Sequence, residues 1–212
     1  MGDLRWMRQN GLETAVKKLA VHIPVWGICG GYQMLGRTIS DPHGVENENS
    51  LREPLRGMEL IDTDTTLMPE KMRTQTRGKY ENVTGIFSTL SGLEFSGYEI
   101  HMGKTTVSTG EHQTPLVQLA DGRTDGVQRM EKGSETPGVY GSYVHGIFDD
   151  GDIAVRIVQA LADKKRVSWK PEAGGDYHAF KEQQYDKLAQ GLREHLDMEY
   201  VYSILQESRI SS

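Results

Sequence analysis

The sequence of 212 residues contains only one cysteine, Cys29, and it lacks any long hydrophobic run. One cysteine forms no internal disulfide and builds no multi-cysteine zinc site, so we expect a reducing, cytoplasmic location and no structural metal. No apolar stretch approaches the roughly 20 residues that span a bilayer, and the first residues carry charges where a secretory signal is apolar. The sequence therefore predicts a protein that is neither secreted nor embedded in a membrane.

Excess positive charge and a phosphate-binding loop are missing as well. The formal net charge is −6, which leaves no basic face for nucleic acid or for anionic lipid. The pattern G-x-x-x-x-G-K-[ST] is absent, so the sequence provides no phosphate cradle for ATP. With 36% hydrophobic and 25% charged residues, the composition is typical of a globular chain with a substantial core.

Hydrophobic periodicity predicts a single α/β domain across residues 1–212. Helices are predicted over 3–20, in YQMLGR (32–37), over 152–165 and over 176–206, where Gly191 is the weak point and 170–176 the preceding hinge. Strands are predicted in HIPVWGI (22–28) and over 57–67, 73–83, 96–107, 115–120, 125–130 and 138–144, with a polar loop over 41–54. This order of elements indicates a sheet that is covered by helices.

Cys29 lies in PVWGICGGYQMLG (24–36), which has the three features of a nucleophile elbow. A buried strand precedes the cysteine, small residues (Gly27, Gly30 and Gly31) flank it, and a helix begins directly after it. Small residues permit a tight turn and a close approach of substrate, while the helix N-terminus lowers a thiol pKa and stabilises an oxyanion. The alternative, a small core cysteine, agrees less well with the flanking glycines.

A cysteine nucleophile needs a histidine to transfer protons, and two of the seven histidines have suitable positions. His145 ends a predicted strand in SYVHG, at a sheet edge where active sites collect. His101 shares a strand face with Glu99, and this pair suggests substrate binding or the orientation of another histidine. Three alternatives stay open: a structural role for His145, a solvated strand face for the pair, and a weak metal site shared among the three residues.

These segments resemble class I, triad-type glutamine amidotransferases, in which GICGGYQ holds the nucleophile and YVHG the catalytic histidine. The resemblance narrows to the C-terminal half of the cobyric acid synthase family, of CobB/CobQ type, and covers about residues 2–205. It is carried, in chain order, by GDLRWMRQNGLE, PVWGICGGYQMLG, DPHGVE, GYEIHMGKT, VYGSYVHGIFDD and LREHLDMEYVYSIL. The fold it implies is a flavodoxin-like three-layer α/β domain with a central mixed sheet and a nucleophile elbow.

The resemblance also implies a reaction and a role for each site residue. Cys29 attacks the side-chain amide of glutamine, the Gly30 N–H stabilises the oxyanion, and His145 transfers the protons. The residues implied in substrate binding are Gln33, Glu99 and His101.

In this family the ammonia released from glutamine amidates peripheral carboxylates of cobyrinic acid a,c-diamide. That amidation uses ATP and Mg²⁺ in an N-terminal synthetase domain. The chain is therefore expected to be a glutaminase fragment, residues 1–212, that lacks the synthetase domain and holds no cofactor itself. Its expected partners are glutamine and, through the synthetase domain, cobyrinic acid a,c-diamide, with no nucleic acid and no membrane.

The sequence departs from the class I pattern at one position. Ile147 occupies the place of the glutamate that usually orients the histidine, which leaves Asp149, Glu99 or a backbone carbonyl for that role. A glycine-containing loop with a second oxyanion donor is expected upstream of residue 1. Two other functions stay open: a non-catalytic module that binds the synthetase domain, and a cysteine hydrolase of the α/β-hydrolase type. For Gln33, the alternative interpretation is an ordinary polar residue on the elbow helix, without a role in substrate binding.

Overall fold

The computed structural model describes residues 1–46, 53–108, 112–130, 138–170 and 177–210. Backbone contacts divide the chain into two compact units, Met1–Pro171 and Glu172–Ser212. The described part of the second unit consists of two helices, and the described strands all belong to the first. Within these ranges, no helix is both long enough and apolar enough to cross a membrane.

The elements are numbered in chain order. The helices of the first unit are α1 (Gly2–Gln9), α2 (Leu12–Leu19), α3 (Gly30–Leu35), a 3₁₀ helix (Gly85–Leu90) and α4 (Gly151–Lys165). The strands are β1 (Val25–Ile28), β2 (Thr38–Ser40), β3 (Leu55–Arg56), β4 (Thr63–Tyr80), β5 (Glu94–Val107), β6 (Gln113–Leu119), β7 (Thr124–Arg129), β8 (Val139–Ser142) and β9 (Val144–His145). The helices of the second unit are α5 (Tyr177–His195) and α6 (Met198–Ile210).

The described strands form one mixed sheet in the order β1-β8-β7-β6-β4-β2-β3, and β5 pairs with both β4 and β9. The pairs β1–β8 and β2–β4 are parallel, whereas the other pairs are antiparallel. A mixed sheet is what the resemblance implied. The strand before the single cysteine therefore lies directly beside the strand that leads to His145.

Two separate hydrophobic clusters cover the two faces of this sheet. One cluster contains Phe87 and Leu90 of the 3₁₀ helix and Ile153 of α4. The other contains Leu4 of α1 and Leu35 of α3. Strand β8 contributes to both clusters, since Val139 belongs to the second and Tyr140 to the first. This is expected because successive side chains of a strand point to opposite faces of the sheet. This arrangement is a three-layer α/β domain, in agreement with the predicted fold class.

Three predicted elements are interrupted in the structure. The helix predicted over 3–20 is two helices, because Gly11 adopts a left-handed conformation with φ 73° that glycine tolerates. The helix predicted over 176–206 breaks at Asp197 rather than at Gly191, and the Asp197 side chain accepts a hydrogen bond from the Tyr200 N–H at the start of α6 (3.0 Å). The strand predicted over 138–144 is divided at Tyr143 into β8 and β9.

Other boundaries shift without changing the architecture. Strands predicted over 57–67 and 73–83 are one continuous strand, β4, whose pairing with β5 shifts register between Leu67 and Met72. Residues 57–61 are not a strand, and the 3₁₀ helix was not predicted. Most of the predicted hinge (171–176) and part of the predicted polar loop (47–52) lie outside the described residues.

Candidate functional site

The turn between β1 and α3 places Cys29 in a strained conformation. Its φ is 54° and its ψ is −112°, a region that residues with a side chain rarely adopt. Two hydrogen bonds hold it there: its N–H donates to the Ser142 carbonyl (2.8 Å), and its carbonyl accepts from the Gln33 N–H (3.1 Å). Because the strand, the strained residue and the helix follow one another directly, the geometry is that of a nucleophile elbow.

The glycines around Cys29 serve two different purposes. A Cβ atom on Gly27 would lie 2.6 Å from Leu35 Cδ1 and 2.7 Å from the Gly31 carbonyl group, so its absence lets α3 pack on β1. A Cβ atom on Gly30 or Gly31 would meet no atom within 4 Å. The positive φ falls on Cys29 itself rather than on a glycine, and the two following glycines border open space.

The Cys29 thiol is half-buried, and its Sγ lies 3.6 Å from the Ile100 carbonyl oxygen, to which it donates. Burial raises the pKa of the Cys29 thiol, although the Gly30 N–H acts in the opposite direction. Burial therefore favours the protonated thiol in this resting arrangement. A reaction through the thiolate needs a base to remove that proton.

His145 lies on β9, three residues beyond the Ser142 carbonyl that binds the Cys29 N–H. Its ring stacks on the ring of Tyr98, the paired residue of β5, with centroids 5.0 Å apart and planes 3° apart. The side chain of Ile147, two residues further on, is 1% exposed and belongs to the core. The position that usually carries the orienting glutamate is thus filled by an apolar core residue.

Of the carboxyl groups considered for orienting the histidine, Glu99 is held by other partners. Arg123 donates to both of its oxygens (3.2 and 2.7 Å), and His101 Nε2 lies 3.5 Å from its Oε1. The Glu99 side chain is 1% exposed, so the alternative of a solvated strand face is wrong for this residue. The Asp149 carboxyl lies closer to the histidine turn, since a Cβ atom on Gly146 would be 3.3 Å from its Oδ2.

The surroundings of Glu99 keep its carboxyl ionised in spite of burial. His101 and Arg123 together lower the pKa of the Glu99 carboxyl to about 2. In the same way, Glu99 and Asp121 raise the pKa of the Arg123 guanidinium above its ordinary range. The result is a polar cluster on one side of β5, in which the ion pair of Glu99 and Arg123 lies beside the His101 ring.

Gln33 and His101 both contact Tyr143. The His101 ring stacks on the Tyr143 ring, with centroids 3.8 Å apart, while its Nδ1 lies 2.8 Å from the Gly103 carbonyl. The buried Gln33 amide donates to the Tyr143 hydroxyl (3.4 Å), which also bonds Thr105 (2.5 Å). A cavity of about 730 Å³ lies against this group, and its lining includes Glu99, His101, Arg123 and Tyr143.

The six residues proposed from the sequence therefore form two neighbouring groups. Cys29 and Gly30 occupy the elbow, and the Ser142 carbonyl connects them to the strand of His145. The second group surrounds Tyr143 and the polar cluster, and it contains Gln33, Glu99 and His101. The Cys29 contact with the Ile100 carbonyl joins the groups, because Ile100 separates Glu99 and His101 on β5.

Three residues of this region were not predicted: Arg123, Asp125 and Ser142. The strand predicted over 125–130 includes Asp125 and corresponds to β7, which begins at Thr124, but the burial of the Asp125 side chain was not predicted. The sequence holds one signal for this, since DG occurs twice in six residues and a single hairpin turn requires only one such pair. Nothing in the local pattern marks Ser142.

Comparison with known proteins gives two consistent findings. Residues 1–153 match the family described as the CobB/CobQ-like glutamine amidotransferase domain. The chain is 45% identical, over 213 aligned residues, to a cobyric acid synthase of Ruminiclostridium cellulolyticum, covering 98% of this chain and 39% of that protein. It is 38% identical to a cobyric acid synthase of Photorhabdus laumondii, covering 100% of this chain and 41% of that protein.

The chain thus spans about two fifths of the length of these curated relatives. Among solved structures, a glutamine amidotransferase of Thermotoga maritima is similar over 77% of this chain and 57% of that chain, with 12% identity and a TM-score of 0.40. The fold assignment rests on the family match and on the chain's own mixed sheet.

Proposed function

The chain belongs to the family of CobB/CobQ-like glutamine amidotransferase domains, and from this premise we propose that it is the glutaminase domain of a cobyric acid synthase. Its reaction is the hydrolysis of glutamine to glutamate and ammonia through a thioester on Cys29. The observation that carries the proposal is the strained elbow, which places a half-buried thiol beside the Gly30 backbone N–H. An α/β-hydrolase-type cysteine hydrolase does not agree with the family match.

In the first half of the reaction, His145 removes the Sγ proton, and the thiolate attacks the side-chain amide carbon of glutamine. The Gly30 N–H, which already faces the thiol, donates to the oxyanion that forms on the amide oxygen. His145 then gives its proton to the amide nitrogen, the C–N bond breaks, and ammonia leaves. In the second half, His145 activates water, which hydrolyses the thioester and releases glutamate.

The second group of residues supports binding rather than proton transfer. Glu99 is already paired with Arg123, so we assign it to holding His101 and the β5 backbone beside the thiol. Gln33 is buried against Tyr143, and we assign it likewise to holding the surrounding residues in place, here at α3. Asp149 is the carboxyl that we assign to orienting His145, because its side chain lies beside the turn after that residue, where a Cβ atom on Gly146 would be 3.3 Å from Asp149 Oδ2.

The remaining proposals concern the longer protein. Because the relatives are more than twice as long, we propose that this chain is one domain of an enzyme that uses the released ammonia. A separate synthetase domain would bind ATP and Mg²⁺ and amidate carboxylates of cobyrinic acid a,c-diamide. We propose a cytoplasmic location and no nucleic acid or membrane partner, in line with the net charge of −6.

Labelling of the full-length protein with a diazoketone analogue of glutamine tests the proposed function. The analogue is expected to attach to Cys29, and excess glutamine is expected to slow the labelling, because both compounds need the same site. Peptide mass spectrometry locates the adduct, and a coupled glutamate assay measures turnover. A full-length protein that neither reacts with the analogue nor releases ammonia would instead be a non-catalytic module.

Substitution of Gly97 by alanine tests the role of His145. The new methyl group would overlap the His145 carbonyl oxygen and lie 2.7 Å from Val144 Cγ1, so β9 must move away from β5. A displacement of this size is expected to lower kcat for glutamine by about 10- to 100-fold. Gly191→Ala is the matched control, since its Cβ atom meets nothing within 4 Å and its kcat should stay unchanged. Full kcat in Gly97→Ala contradicts the prediction.

A further inference from the structure

The pairing partners of the chain change abruptly between β8 and β9, the strand that contains His145. Strand β8 pairs with the nucleophile strand β1 and with β7, whereas β9 pairs only with β5 among the described strands. The change is completed over Ser142, Tyr143 and Val144. This short junction therefore determines where His145 lies relative to the elbow.

One buried carboxyl group organises the polar atoms of this junction. Asp125 Oδ2 accepts a hydrogen bond from the Ser142 hydroxyl (2.6 Å) and another from the Tyr143 N–H (3.0 Å). The Ser142 hydroxyl oxygen accepts in turn from the Val144 N–H (3.0 Å). Ser142 is fully buried and Asp125 is 8% exposed, so water does not replace these bonds.

The same junction holds the nucleophile. The Ser142 carbonyl accepts the Cys29 N–H, while the Ser142 hydroxyl is bound by Asp125. A strained residue such as Cys29 keeps its conformation only where its surroundings fix it. Through Ser142, the Asp125 carboxyl thus acts on the backbone that carries both the thiol and the histidine.

We infer that Asp125 is a positioning residue, whose buried carboxyl sets the β8–β9 junction and thereby the placement of His145 relative to Cys29. The inference rests on the proposed glutaminase function. It assigns no contact between Asp125 and the substrate. Both hydrogen bonds end on the same oxygen, so a neutral amide oxygen in that place serves equally well. Burial also raises the pKa of the Asp125 carboxyl, in keeping with a role that needs an acceptor rather than a charge.

The test compares Asp125→Ala with Asp125→Asn in the full-length protein, with kcat and KM for glutamine as the readouts. We expect Asp125→Ala to lose on the order of 10²-fold in kcat, because a displacement of about 1 Å has that effect, while KM changes little. Asp125→Asn is expected to keep kcat within about threefold, since one oxygen can accept both bonds.

Gln128→Ala is the matched control. Gln128 is a buried polar residue of the same strand, and its side chain bonds Glu81, Asn82, Thr84 and Pro115 rather than the junction. It is expected to lose stability but to keep kcat. Should Asp125→Ala not fold, Ser142→Ala removes the bridging hydroxyl instead and is expected to lower kcat in the same way.

The outcomes separate this inference from the proposed function. A wild-type protein without glutaminase activity contradicts the proposed function, and this inference with it. An active wild type overturns the inference alone if Asp125→Ala keeps full kcat, if Asp125→Asn is as impaired as Asp125→Ala, or if Gln128→Ala loses kcat to the same extent.

Discussion

Substitution of Cys29 by alanine is expected to abolish glutamine-dependent amidation by the full-length protein, while amidation driven by added ammonium salt continues. In the proposed reaction the thiol forms the covalent bond to substrate, and no other cysteine exists in this chain to replace it. Loss of a catalytic nucleophile typically lowers kcat by about 10⁴-fold or more, so glutamine-dependent turnover should fall below detection. The measurement is product formation with each nitrogen source at saturating concentration.

Cys29→Ser is the control for this variant, because it keeps the size of the side chain at the strained position. We expect it to behave like Cys29→Ala, since a serine hydroxyl is much less acidic than a thiol and a far weaker nucleophile than a thiolate. Equal loss of glutamine-dependent and ammonia-dependent activity in both variants would point to a folding defect. Persistent glutamine-dependent activity in Cys29→Ala would assign the nucleophile elsewhere.

Substitution of Arg123 by methionine is expected to lower the free energy of unfolding more than other side-chain changes around β5. It leaves the Glu99 carboxylate, which is 1% exposed, with His101 as its remaining partner. Breaking a fully buried ion pair typically costs about 3–5 kcal/mol. Because the Arg123 side chain is 44% exposed, we expect a smaller cost of about 2 kcal/mol, measured by urea denaturation.

The effect of Arg123→Met should depend on pH in a defined direction. The folded-state pKa of Glu99 is depressed to about 2 from an ordinary value of 4.5, so its ionised form contributes stability above about pH 4.5. That contribution is lost as pH falls through 4.5 towards 2. The stability difference between wild type and variant should therefore narrow over this range.

The double variant Glu99→Gln with Arg123→Met is the control for charge. It removes both members of the pair and leaves no buried charge, so its stability at pH 7 should exceed that of Arg123→Met alone. A double variant that is less stable than Arg123→Met would show that packing, rather than the unpaired carboxylate, causes the loss.

The sequence allowed the elbow to be predicted, because its signals are local. A buried strand, the glycines and a helix start follow one another within 13 residues around Cys29. The mixed sheet was implied by the resemblance, and the helix positions followed from periodicity. The flanking glycines were expected to permit the tight turn, and the structure adds that the positive φ belongs to Cys29 and not to its neighbours.

The partners of each site residue were not predictable, because they come from distant strands. Glu99 and His101 were expected on one strand face, but the pairing with Arg123 depends on how β5 and the start of β7 meet in the fold. The break between β8 and β9 at Tyr143 was not predictable for the same reason. At the break, the Tyr143 N–H donates to the Asp125 carboxyl, which is 18 residues away in the chain.

The burial of Ile147 has a consequence for how this site could evolve. Its side chain belongs to the same core cluster as Tyr80, Phe95 and Ile153, and its carbonyl accepts the Tyr80 hydroxyl (2.9 Å). A glutamate at this position would put a carboxylate into an apolar core, at a free-energy cost that a single substitution does not offset. A chain with this core is thus confined to another means of orienting its histidine, and introducing the glutamate would require the core beneath it to be rebuilt first.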